Sequence, residues 1–154
     1  MKKLFMFITA IALTSLSSCS KDDSKNNPAQ PTNFLTAIIN GVTLNFDTLK
    51  VVKEVVPNDG DPYTDLIVTA TKSDDHSKSI IFNLQHLQVG TETCYYFDYT
   101  DGDINYDSAI GNSFEVNITV NTPNKLKGNI TGRLSDSSNT NSIVIPSGSF
   151  DITY

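Results

Sequence analysis

The chain has 154 residues, 11 Lys and Arg against 17 Asp and Glu, a formal net charge of −6 at pH 7 and two cysteines. An acidic chain with scattered lysines and no basic stripe argues against nucleic acid as a partner, and against direct attraction to anionic lipid. In chain order, Lys2 and Lys3 form a positive n-region, and Leu4 to Leu13 is an apolar run broken only by Thr9. That order is a secretory signal peptide. The apolar run falls well short of the ~20 residues needed to span a bilayer.

Leu16-Ser17-Ser18-Cys19 comes next. It resembles a bacterial lipobox, a leucine three residues before a cysteine and small residues between. The resemblance implies that residues 1–18 are a removed signal peptide, and that Cys19 is lipidated on sulfur as the first mature residue. One acyl chain binds a membrane only marginally, whereas several anchor stably, so an acylated Cys19 would hold the chain to a membrane. Ser20-Lys21-Asp22-Asp23-Ser24 then resembles the acidic surface-export signal of Bacteroidota lipoproteins, which implies the outer leaflet of the outer membrane. Lys25 to Asn33 carries two prolines and no apolar periodicity, so residues 19–33 read as the lipidated cysteine and a flexible tether. Loss of Lys2 and Lys3 with the signal leaves the mature chain at −8. With Cys19 committed to lipid, Cys94 has no disulfide partner and reads as a small core residue.

Residues 34–154 are one domain's worth, long enough to bury close to ~70% of the unfolded surface. Short runs rich in Val, Ile, Thr, Tyr and Phe alternate with turn clusters, without a 3.6-residue period, so the domain reads as all-β. Phe34 to Ile39 and Val42 to Phe46 flank Asn40-Gly41, a strong hairpin signal. Leu49 to Val56 ends at a Pro57 to Pro62 loop. Leu66 to Thr71 and Ser79 to Leu87 flank a Lys72 to Lys78 turn, and Thr93 to Tyr99 stops at Thr100 to Asp103. In Phe114 to Val120 the even positions face inward. In Leu126 to Leu134, Leu126, Ile130 and Leu134 face inward, with Gly128 and Gly132 between them, where small residues suit a bulge or close packing. Ile143 to Ile145 stops at Pro146, and Phe150, Ile152 and Tyr154 form a closing strand tied into the sheet. Nine or ten short strands with one solvated face predict an antiparallel β-sandwich, with a lipocalin-like β-barrel as the alternative.

Ala37 to Gly41, Lys125 to Gly132 (Lys-Leu-Lys-Gly-Asn-Ile-Thr-Gly) and the ending Gly148 to Tyr154, together with the lipobox and its Lys-Asp-Asp tether, resemble small Bacteroidota surface lipoproteins with an uncharacterised β-domain. The resemblance implies surface-exposed β-domains with no established enzymatic role. These motifs are hairpin and core patterns, and fold does not imply function.

Catalytic constellations are sparse. His76 lies in a polar turn, and His86 shares a face with Ile80, Phe82 and Leu84, so it reads as a strand-end histidine; neither has ligand-spaced partners for zinc. No Gly-x-Ser-x-Gly elbow, His-Glu-x-x-His or P-loop occurs. A carboxylate pair could serve a glycosidase, but 17 acids make pairs unavoidable by chance. Asp101, Asp103, Asn105 and Asp107 occupy alternate positions, as the oxygen ligands of calcium loops do. The EF-hand match fails at Gly102, which is second rather than sixth, and at Asn112, which replaces the bidentate glutamate. Continued as a strand, the segment would put all four side chains on one face. Tyr95, Tyr96, Tyr99 and Tyr106, with Phe97, offer aromatic faces for a sugar, although tyrosine is also an ordinary strand residue. Asn117-Ile118-Thr119 and Asn129-Ile130-Thr131 fit the N-glycosylation acceptor but lie mid-strand. Asp47-Thr48-Leu49 and Asp107-Ser108-Ala109 resemble the O-glycosylation tripeptide of exported Bacteroidota proteins.

The sequence therefore points to a lipid-anchored, surface-exposed, non-catalytic binding or structural accessory that contacts a glycan or an extracellular protein. Two alternatives stand beside it. One is a small extracellular hydrolase or enzyme inhibitor that uses the acidic loop near Asp101, and the other is a barrel that encloses an apolar ligand.

Overall fold

The computed structural model describes residues 33–58, 60–108 and 113–154. The signal peptide, Cys19, the tether up to Thr32, Ala109 and Asn112 lie outside the described residues. Ten strands run in chain order: β1 Phe34–Ile39, β2 Val42–Phe46, β3 Thr48–Val56, β4 Tyr63–Thr71, β5 Lys78–Gln85, β6 Cys94–Asp101, β7 Ile104–Asp107, β8 Phe114–Thr122, β9 Lys125–Asp136 and β10 Ser142–Thr153. All pairings are antiparallel, and the described residues form no helix.

The strands join in one hydrogen-bonded path, β2-β1-β10-β9-β7-β6-β5-β4-β3, with β8 paired to β9 beside it. The path has two limbs. One edge of β9 forks: Lys125 to Gly132 pair with β8, whereas Ser135 and Asp136 pair with β7. β8-β9-β10-β1-β2 thus forms one five-stranded limb and β3 to β7 the other. The path ends on β2 and β3, which are contiguous in the chain through Asp47 alone. The sheet must therefore curl until its two ends meet at that residue. Asp47 fixes the corner by accepting bonds from the Ser73 amide and hydroxyl at 2.8 and 2.6 Å. The all-β expectation is borne out, and the two faces of the expected sandwich are limbs of one curled sheet.

The limbs close on a ring cluster. Phe82 of β5 lies 5.2 Å from Phe150 of β10, Phe97 of β6 lies 4.5 Å from Phe114 of β8, and Phe82 and Phe97 stack at 5.9 Å. Leu35, Leu66, Ile80, Leu84, Leu126, Ile130 and Leu134 are fully buried around them. Aromatic rings are therefore packed where a barrel would hold an apolar ligand. Gly128 allows the limb to pack this closely: a Cβ there would sit 2.5 Å from the Phe150 ring and 2.6 Å from the Asn117 carbonyl oxygen. Gly132, at the fork, has a φ of +133°, which glycine adopts at little cost.

The segment after the Thr100 to Asp103 turn does continue as a strand, with Ile104 to Asp107 forming β7. Pro146 does not end a strand: β10 runs through it, because Pro146 and Ser147 form a bulge between Ile145 and Gly148. A bulge leaves a residue unpaired, so the missing proline N–H costs no ladder bond. The Asn40-Gly41 hairpin is as read, with φ of 49° and 83° and the flanking Ile39 and Val42 paired. Tyr154 is tied in through its amide to Asn124 O at 3.0 Å and its hydroxyl to Thr122 O at 2.8 Å.

Candidate binding cleft

The four proposed calcium ligands are separated by a chain reversal. Gly102, with a φ of 61°, and Asp103 form a two-residue turn, so Asp101 ends β6 while Asn105 and Asp107 lie on β7. Asp101 lies on the Tyr99 side of the hairpin, where it accepts from Lys78 Nζ at 2.6 Å and from the Tyr99 hydroxyl at 3.3 Å. That bond to Asp101, and then one to Asp75, raises the Lys78 pKa. Asp103, Asn105 and Asp107 instead line a shallow depression on the other face with Asp136 and Ser137. The Asp136 carboxylate is used within its own turn, by the Ser138 hydroxyl, the Thr140 amide and the Asn141 side chain at 3.0, 2.8 and 2.7 Å. Among the described residues no three acidic, histidine or cysteine side chains converge as metal ligands.

The tyrosines divide as well. Tyr99 and Tyr106 are buried and stack at 6.0 Å, so they are core residues. Tyr96 donates to Asp98 Oδ2 at 2.8 Å, as does Asn105 Nδ2 at 2.7 Å; burial, and then that bond, pushes the Tyr96 phenol up to about 12. Tyr95 is different. β5 pairs Asn83 with Tyr96 and Leu84 with Cys94, so Tyr95 is the extra residue of a bulge. Strict alternation would send it inward with Phe97 and Tyr99. The bulge turns it outward, 58% exposed, onto the outer face of β4.

There it covers Asp65. The Tyr95 hydroxyl makes a short hydrogen bond to Asp65 Oδ2. Burial, and then this bond, raises the Tyr95 pKa. Asp65 is only 5% exposed, and its Oδ1 has no hydrogen-bond partner. Tyr63, Asp65, Gln85, Glu92, Thr93 and Tyr95 line a cleft of about 230 Å³ over this carboxylate. Tyr63 precedes Asp65 by two on the same face of β4, and Gln85 is its direct partner on β5. Glu92 and Thr93 close the loop that joins β5 to β6.

That loop, residues 86–93, is held from below. Asn121, buried on β8, donates through Nδ2 to the carbonyls of Gln85 and Gln88 at 2.9 and 2.8 Å. Gly90 bridges Ile118 with a bond in each direction, at 2.9 and 3.1 Å. On this frame the loop presents Leu87 and Val89, 53% and 59% exposed, and Leu87 has a φ of 65°. A bulky non-glycine residue in that region is a strained outlier held by its surroundings. His86, just past β5, is half-buried with no partner for Nε2; burial first, then Lys53, disfavours its protonation.

Cys94 packs against the core, its thiol reaching Tyr96 O at 3.3 Å, and burial pushes its pKa up to about 12. Of the O-glycosylation tripeptides, Thr48 is exposed, whereas the Ser108 hydroxyl accepts from the Phe97 amide at 3.3 Å. Sequence reasoning missed Tyr63, Asp65, Gln85 and Glu92, because an aspartate beside Leu66 looks like a strand boundary. The available signal is the alternation of Tyr63, Asp65, Ile67 and Thr69 against Leu66, Val68 and Ala70. Compared with known proteins, the chain matches no family model, no curated protein and no solved structure.

Proposed function

We propose that this chain is a lipid-anchored accessory of a bacterial outer membrane, displayed on the cell surface, that binds a glycan or protein partner without chemistry on it. The observation that carries the reading is the order of the first residues: a positive start, a short apolar run, Leu16-Ser17-Ser18-Cys19, then Lys21-Asp22-Asp23. Acyl chains on Cys19 supply the membrane affinity, and the polar tether of residues 19–33 separates the domain from the bilayer. The binding part of the reading is supported by a ready-made cleft with two partly exposed tyrosines and by a loop that displays aliphatic side chains on a fixed frame. The engagement of Asp101 with Lys78 and Tyr99 weighs against a hydrolytic role for that loop.

Surface accessibility in intact cells tests the proposal. Protease shaving of whole cells should remove the wild-type chain, and a Cys19→Ala variant should leave the membrane fraction. Protection of the wild type until the outer membrane is opened would sink the surface display and redirect the search to periplasmic partners.

A further inference from the structure

The cleft on β4 and β6 has a chemical bias that a neutral ligand would not use. Two carboxylates, Asp65 and Glu92, line it with two tyrosines, and none of its lining residues is basic. Glu54 adds a third acid as the direct β3 partner of Asp65. A buried carboxylate with one oxygen unpartnered is costly unless a donor completes it. Tyr95 completes only half of this one, through a side chain that is more than half exposed and free of ladder pairing on its bulge.

We infer that this cleft takes a guanidinium group, the side chain of an arginine in a basic peptide segment of a partner protein. The guanidinium carries several N–H donors in one plane, one of which can complete Asp65 Oδ1, and its plane stacks on aromatic faces, so Asp65, Tyr63 and Tyr95 suit it together. At about 230 Å³ the cleft lies below the usual range for sites that enclose a whole small molecule, and it fits one side chain. Leu87, held at a strained φ, and Val89, both exposed on the loop that carries Glu92, are apolar surface that a peptide can contact and a free guanidinium does not need. The net charge of −6 favours approach of a basic segment.

The test titrates the full chain in detergent with four probes: acetyl-arginine amide, acetyl-Arg-Leu amide, its neutral citrulline counterpart and methyl glucoside. Binding is read by calorimetry and by tyrosine fluorescence, which is free of tryptophan background because the chain has none. The arginine probes should bind in about the millimolar range or better. The leucine should tighten binding, and added salt should weaken it. Citrulline should cost about tenfold or more, Asp65→Asn a similar factor with the fold retained, and Glu92→Gln, on an exposed loop, about threefold. Acetyl-arginine amide binding without any gain from the leucine would assign the cleft to free guanidinium compounds and overturn the peptide inference. Equal affinity for the citrulline probe, binding of the glucoside instead, no binding at all, or an unchanged affinity in a folded Asp65→Asn variant would each overturn it too. The inference rests on the cleft and not on the anchor. A chain that is displayed on cells but ignores arginine would keep the proposed display and lose this ligand.

Discussion

Replacing Gly128 by alanine tests the packing of the two limbs through one methyl group. Gly128 has an ordinary backbone conformation, so the substitution introduces no φ strain and reports the contact alone. The new Cβ would stand 2.5 Å from Phe150 Cζ and 2.6 Å from Asn117 O. Neither neighbour yields cheaply. The Asn117 oxygen belongs to a strand whose residues pair with β9 on both sides of it, and the Phe150 ring is pressed by Phe82 at 5.2 Å. Overpacking of this kind costs about 1–3 kcal/mol, here toward the upper end because one obstacle is backbone. Restriction of the unfolded chain returns about 0.4–1 kcal/mol. The net expectation is a loss of about 2 kcal/mol, which for a domain of this size lowers Tm by roughly 6–10 °C. Urea unfolding with an unchanged m-value would give the free energy directly. Gly60→Ala, where nothing lies within 4 Å of the added carbon, should stay within about 0.5 kcal/mol of wild type. A Gly128→Ala protein as stable as that control would refute the close approach of β8, β9 and β10.

In a Cys19→Ala variant Cys94 is the sole cysteine, and its thiol pKa of about 12 leaves roughly a thousandfold less thiolate at pH 8 than an ordinary cysteine has. Dithionitrobenzoate should therefore label about one thiol in guanidinium and essentially none in the native protein over the same period; rapid native labelling would refute the burial. Acid should destabilise the domain through a small set of aspartates. The Ser73 hydroxyl and amide lower the Asp47 pKa, the Ser77 hydroxyl and Lys78 lower that of Asp75, and at Asp151 burial is outweighed by Lys127 and Lys125. Each folded pKa lies below its unfolded value, so the stabilisation is present above about pH 4 and is lost as pH falls through the folded values. Melting temperatures should dip as pH falls through about 6.5, where the unfolded chain takes up a proton that the fold disfavours on His86. They should fall further below 4, with a shallower fall there in Asp151→Asn; an equal slope in that variant would show that Asp151 contributes nothing to the acid transition.

The strand pattern was legible wherever alternation ran unbroken. Phe34 to Ile39, the Asn40-Gly41 turn and the inward set Leu126, Ile130 and Leu134 come directly from period-two patterning and turn chemistry. The two inward glycines of β9 were legible as sites of close packing, though the rings and carbonyls they make room for were not. The features that escaped were long-range. Nothing local in Asp47 says that its two flanking strands are the far edges of one sheet, because that depends on pairings 100 residues away. Nor does Ile104-Asn-Tyr-Asp announce a strand, since its pairing partners, β6 and the end of β9, supply what its own polar composition does not.

The proposed site was hidden for a related reason: each of its main supports comes from a break in alternation. At Tyr95 the extra residue turns outward a ring that period two assigns to the core, and so brings it onto Asp65. On β8 the register slips between Ile118 and Val120, leaving Thr119 unpaired and inverting the parity of the strand's last three residues. Val120, inward by strict alternation, becomes half-exposed, and Asn121 takes the buried place from which it holds the carbonyls of Gln85 and Gln88. A bulge sacrifices ladder pairing and bends and twists its strand, as the one at Pro146 and Ser147 does in β10. Two bulges that converge on one loop, one beneath it and one beside it, have a common product: a fixed loop with a strained, exposed Leu87, whose far end, Glu92 and Thr93, lines the cleft with Asp65. The outer cleft, rather than the ring-filled interior or the acidic hairpin, is where this chain departs most from the demands of folding.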